Sequence, residues 1–172
     1  RFWKPIAYFS VCLAFDADDR DFEYLDAQSS AFKRLVKVNK IVVAKVEGDV
    51  QKQDFYLTNS PYCSSLLEPY NGALQIYHFA PLFEVVDKKE IEVVGLQDVL
   101  NKTNLKYIDW LKTDSQGTDL RLLKSLNQEI QDKMIALELE PGFIDAYKNE
   151  DKIIDCMNYM ETRKEFNLVE FI

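Results

Sequence analysis

Short apolar runs at positions 10–15, 41–46, 108–112, 134–139 and 168–172 constrain the fold most, because several of them are apolar on both faces. A strand without a polar face has to be covered on both sides, as in a parallel sheet between two layers of helices. Two further segments, 54–58 and 91–94, alternate apolar and polar residues and read as edge or hairpin strands. Helical periodicity fills the intervals. Over 19–36, Phe22, Leu25, Phe32, Leu35 and Val36 fall near one face, with Asp18 or Asp19 as N-cap. Over 118–130, Leu120, Leu123, Leu126 and Ile130 recur every three or four residues, as do Ile153, Ile154, Met157 and Met160 over 149–164. The last of these helices opens with acidic residues and closes with Arg163 and Lys164, as the helix dipole prefers. The pattern predicts an open, doubly wound, mostly parallel α/β sheet in one domain spanning residues 1–172. Such sheets bind ligands outside the carboxyl ends of their strands, so the chemistry is expected just after Phe15, Val46, Lys112 and Leu139.

Composition narrows the partners. A net charge of −8 repels phosphate backbones, which argues against nucleic acid. The longest basic cluster, Lys33, Arg34 and Lys37, is too short for a binding stripe. No apolar run approaches the ~20 residues that span a bilayer, so no membrane partner is expected. Cys12, Cys63 and Cys156 form no CxxC pair; they predict neither a zinc site nor a disulfide framework and fit reduced thiols in the cytoplasm. Nothing in the pattern encodes an oligomeric state. The chain begins at Arg1 and not Met, and is read as incomplete at its N-terminus.

The strand ends carry the candidate chemistry. After the first run, Phe15-Asp16-Ala17-Asp18 offers a carboxylate that can accept two hydrogen bonds from a ribose diol; the same acids can equally cap the next helix. After the second, Glu47-Gly48-Asp49 could border an adenosine pocket or form an ordinary turn. After the third, Lys112 and Asp114 lie two apart and project to the same side of a regular strand. Charges near a buried strand end need each other or a ligand, so a structural ion pair with a helix cap is the alternative to a catalytic pair. After the fourth, Glu138 and Glu140 share a face, and their like charges raise one pKa unless a cation intervenes. Asp114 and Glu138 could also serve as oxygen ligands for a divalent ion, although no metal site is assigned.

The stretch IDWLKTDSQGTDL at 108–120, followed by Leu123 and Lys124, resembles the signature of FkbM-type methyltransferases, roughly hydrophobic-D-hydrophobic-L-K-hydrophobic-D-x-[EQ]-G-x-E-L-x-x-L-K. It departs at Thr113, where an apolar residue is usual, and at Asp119, where Glu is commoner. Five other pieces resemble the family in order: FDAD at 15–18, AKVEGD at 44–49, SSLLEP at 64–69, VVGLQDV at 93–99 and ALELE at 136–140. The opening RFWKPI is similar to a segment that follows the glycine loop in one branch of the family.

The resemblance implies a class I, Rossmann-like fold that transfers a methyl group from S-adenosylmethionine, usually to a hydroxyl of a sugar or small metabolite. Carried over by position, Asp16 and Ala17 would bind the ribose, Glu47, Gly48 and Asp49 would border the adenosine pocket, and Ser65 would lie near cofactor or substrate. Asp114 would sit beside the methyl donor and act as base, oriented by Lys112. The single histidine, His78, lies in a stretch that no motif fixes. The family's first strand and glycine loop are expected upstream of Arg1, since no G-x-G occurs in the chain. The alternative is a non-catalytic methyltransferase-like binding or scaffold module. The enzyme reading requires Asp16 and Asp114 to end neighbouring strands and face one crevice.

Overall fold

A computed structural model describes residues 4–16, 31–46, 51–163 and 166–170. Among the described residues there are seven strands: β1 Val11–Phe15, β2 Arg34–Val38, β3 Ile41–Val43, β4 Lys52–Thr58, β5 Val85–Gly95, β6 Trp110–Lys112 and β7 Ala136–Glu138. The helices are α1 Asn71–Leu74, α2 Leu96–Thr103, α3 Asp119–Ser125, α4 Gln128–Asp132 and α5 Ile153–Glu161.

Strands and helices interleave as the apolar runs require, but the hydrogen bonding divides into three ladders among the described residues. β1 pairs in parallel with β2, β6 pairs in parallel with β7, and β5 lies between a parallel β3 and an antiparallel β4. What unites them is burial. Leu13 and Phe15 of β1, Val42 of β3, Leu111 of β6 and Leu137 of β7 pack against one cluster that includes Leu96 and Leu100 of α2, Leu120 and Leu123 of α3, Ile130 of α4 and Cys156 of α5. Each fully buried leucine of this kind contributes about 2 kcal/mol relative to exposure.

Several expectations change. Most of the helix expected over 19–36 lies outside the described residues, but its final part is strand β2. Val36 and Val38 are β-branched and alternate along a pleat, and the five-residue parallel register with β1 outweighs the local helical spacing. The pattern over 118–130 divides into α3 and α4 at Leu126 and Asn127, because the Asn127 carboxamide oxygen accepts from the Ile130 amide and starts a new helix. Residues 166–170 carry no regular structure, so the strand expected over 168–172 does not form there. Helix α2 was not anticipated; it ends at Asn104, which takes a left-handed φ of 55°. The alternation at 54–58 and 91–94 does form a hairpin, β4 with β5. No helix among the described residues is long and apolar enough to cross a membrane.

Candidate functional site

The parallel register of β6 and β7 sets Lys112 directly opposite Glu138. Its Nζ donates to Glu138 Oε1 at 2.6 Å and to Glu140 Oε1 at 2.7 Å. Partial burial opposes the ammonium charge, but the two carboxylate bonds prevail and hold the lysine above its usual pKa. The like charge of Glu138 and Glu140 is thus bridged by a cation from the neighbouring strand. Lys112 was expected to orient Asp114; instead it is bonded across the ladder, and it reaches Asp114 only through its charge.

Asp114 is oriented by a different residue. Gln116 Nε2 donates to Asp114 Oδ1 at 2.7 Å. Burial raises the Asp114 pKa, and the negative charges of Glu140 and Asp119 raise it further, while the Gln116 amide and the Lys112 charge pull it down; the net shift is upward. A carboxylate with a raised pKa accepts a proton more readily than an ordinary aspartate.

The loop that presents Asp114 is locked from three sides. Gln116 and Gly117 have φ values of 51° and 103°, a left-handed pair that turns the chain from β6 into α3. Ser65 Oγ donates to the Gln116 carbonyl at 2.7 Å and accepts from the Leu67 amide at 3.0 Å. Its backbone also pairs with Tyr56 of β4. Asp119, fully buried, accepts from the Ser115 hydroxyl at 3.0 Å. The Ser115 hydroxyl oxygen in turn accepts from the Thr118 amide at 3.1 Å. On the third side the Tyr147 hydroxyl lies 3.1 Å from Gln116 Oε1 and 2.9 Å from the Cys63 carbonyl. Tyr147 belongs to a segment fixed by the buried Glu150, which accepts from the Ala146 amide at 2.7 Å and from Lys152 Nζ at 2.6 Å.

Ser65 is therefore beside the Asp114 loop, but its hydroxyl serves the loop's backbone. Asp16 follows β1, half-buried, and its amide donates to the Val38 carbonyl at 3.3 Å. It ends a strand of a different ladder from β6, so the expectation that Asp16 and Asp114 end neighbouring strands is not met among the described residues; the two strands share only the main apolar core. Ala17, Glu47, Gly48 and Asp49 lie outside the described residues. A depression of about 240 Å³ does open at the carboxyl ends of β3 and β5, beside Val46, Gly95, Asp98 and Lys102. A larger one, about 510 Å³, adjoins Tyr70, Tyr147, Lys148 and Glu150. His78 is exposed and lies edge-on to Phe79, 5.5 Å between ring centres. No group of three or more metal-ligating side chains is assembled among the described residues.

Gln116, Tyr147 and Glu150 were missed by sequence reasoning as parts of the site. Tyr147 and Glu150 lie some thirty residues from the loop they support, and no local pattern announces a contact across that separation. One buried polar atom stands out: the Thr113 hydroxyl has no hydrogen-bond partner, alone in this among the described residues.

The FkbM methyltransferase domain model matches residues 8–166, which takes in every element described above. No curated protein and no solved structure matches the chain. A match of that extent, with the motif residues gathered on one loop at the ends of β6 and β7, makes this chain a member of the FkbM methyltransferase family.

Proposed function

We propose that this single domain has the class I, doubly wound arrangement, uses S-adenosylmethionine as methyl donor and methylates a hydroxyl of a small molecule or glycan. The observation that carries the reading is the charge at the ends of β6 and β7. Three carboxylates (Asp114, Glu138 and Glu140) face one ammonium, Lys112, which leaves two net negative charges at a strand end. An excess of negative charge at this place suits a sulfonium cation. Asp16 at the end of β1 is the acid suited to a ribose diol, and Val46, which precedes Glu47-Gly48-Asp49 in the chain, lines the smaller depression.

When bound, S-adenosylmethionine supplies a methyl carbon on a positively charged sulfur. Asp114 would accept the proton of the acceptor hydroxyl and so ready that oxygen for the methyl group the cofactor would supply. Gln116 fixes the direction of the carboxylate, and the Lys112 charge offsets part of the upward push of Glu140 on the Asp114 pKa. The three cysteines are unpaired, which supports a reducing cytoplasm.

A second reading, a non-catalytic binding module, is favoured by the internal satisfaction of the loop: Ser65, Gln116 and Asp119 are all bonded within the protein. Full-length protein separates the two. S-adenosylmethionine and its demethylated product should each raise Tm, by about 2.7 kcal/mol of stabilisation at 100 Kd. Asp114→Asn should abolish methyl transfer and keep the fold. Absence of any shift with either ligand would leave the binding module standing, and full activity in Asp114→Asn would remove Asp114 from catalysis.

A further inference from the structure

A carboxylate can only accept hydrogen bonds, so the Gln116 amide has to present its nitrogen to Asp114 and its oxygen to the other side. On that other side stands the Tyr147 hydroxyl, at 3.1 Å. Tyr147 is buried, its one hydroxyl proton shared between the Gln116 oxygen and the Cys63 carbonyl at 2.9 Å, and its backbone amide donates to Glu150 Oε1 at 3.2 Å. Gln116 itself is pinned by the bond from Ser65 to its carbonyl and by the left-handed turn that Gly117 completes.

We infer that Gln116, with its amide held by Tyr147, is a positioning residue that sets the direction of the Asp114 carboxylate and its readiness to take a proton. The role in methyl transfer rests on the function proposed above; the positioning of Asp114 does not. In the signature that 108–120 resembles, this position accepts Glu or Gln, and only Gln can donate to Asp114 while accepting from Tyr147. A glutamate there would set two carboxylates side by side, and the pair would hold a proton at higher pH. The other charges facing Asp114 are Lys112 from β6, Glu140 two residues beyond β7 and Asp119 from α3.

The readout is the titration of the Asp114 side-chain carbon, followed by carbon-detected NMR in the full-length protein. Gln116→Met removes the donated N–H and should move the midpoint up by about half a pH unit. Gln116→Glu should move it further. Tyr147→Phe keeps the ring and loses only the hydroxyl, so it should give a smaller shift in the same direction and serves if the Gln116 variants fold poorly. Calorimetry with S-adenosylmethionine and S-adenosylhomocysteine then reads the function separately: the preference for the charged ligand should fade as pH drops through the Asp114 midpoint, at higher pH in Gln116→Met than in the parent. A midpoint unmoved in all three variants overturns the positioning role. A moved midpoint with no ligand preference at any pH leaves Gln116 as the positioning residue and removes Asp114 from the methyl-donor site.

Discussion

Along the β4–β5 hairpin the charges stand in water: Lys88 pairs with Asp54 at 2.8 Å and Lys40 with Glu92 at 2.7 Å, every partner more than a third exposed. Between β6 and the end of α5 three charges are inside, although Lys112, Asp114, Glu138 and Glu140 reach the surface. Asp119 is fully buried, Glu150 and Arg163 nearly so, and each is bonded: Asp119 to Ser115, Glu150 to the Tyr147 segment, and Arg163 across some thirty residues, to Gln131 at 2.9 Å and to Asp132 at 2.6 Å. The hairpin is specified by its alternation, and its ion pairs decorate a register already set. In the second region the buried polar groups are themselves what fixes the backbone, because each loses solvation unless its partner is in place. Asp114 itself reaches the surface, but the loop that carries it is held by charges that are internal, Asp119 and Glu150.

That contrast breaks most visibly at Gly117. A Cβ there would stand 2.9 Å from Glu150 Cβ and 3.0 Å from Leu67 Cδ1, on a φ of 103° that L-residues rarely adopt. Gly117→Ala should cost about 3 kcal/mol, combining strain and overpacking, read as a drop in the urea midpoint. It should also displace Gln116 and with it the Asp114 carboxylate. Next in size is Thr113→Val. The Thr113 hydroxyl is buried with no partner in the described residues, in a position where the resembled signature has an apolar residue. Replacing it with an isosteric methyl should stabilise the protein by about 1 kcal/mol. Destabilisation instead would mean that the hydroxyl is bonded to an internal water.

The two regions also differ in how far the sequence disclosed them. Alternation at 54–58 and 91–94 was enough for the hairpin, because a two-sided strand carries its own period. Likewise Lys112 with Asp114 and Glu138 with Glu140 were legible as two pairs at strand ends, since a spacing of two sets each pair on one side. Which acid the lysine bonds was not legible; that depends on the register between two strands 26 residues apart in the chain, from Lys112 to Glu138. Strand β2 was obscured for the same reason. Leu35 and Val36 fit a helical spacing with Phe22, Leu25 and Phe32, and only pairing with β1 decides against it. The supports of the Asp114 loop, Tyr147 and Glu150, are long-range contacts with no local signal.

Asp114 gives a smaller but signed effect. Its folded pKa lies above the unfolded value, so ionising it opposes folding. The stability it contributes is complete below the ordinary aspartate range, about pH 4, and is lost as pH rises through the raised folded value. Asp114→Asn cannot ionise and still accepts from Gln116. It should therefore melt above the parent at pH 7, with the difference closing at pH 3. A variant that melts lower than the parent at neutral pH would mean that the ionised carboxylate is a structural partner like Asp119.

The smallest effect is expected from the hairpin. Lys88 lies diagonally across from Asp54, opposite Tyr56 in the ladder, and its ammonium sits 5.2 Å above the Tyr56 ring centre. The bond to Asp54 raises the lysine's pKa, yet both side chains are about half exposed, so water replaces the partner as soon as it is removed. Lys88→Ala should leave Tm unchanged within error at 0.15 M salt, and should differ from the parent only when ionic strength is low enough to lift screening. A clear loss of Tm at 0.15 M salt would place the hairpin's register under electrostatic control, and the distinction between charges that decorate a backbone and charges that fix it would then fail at its simplest case.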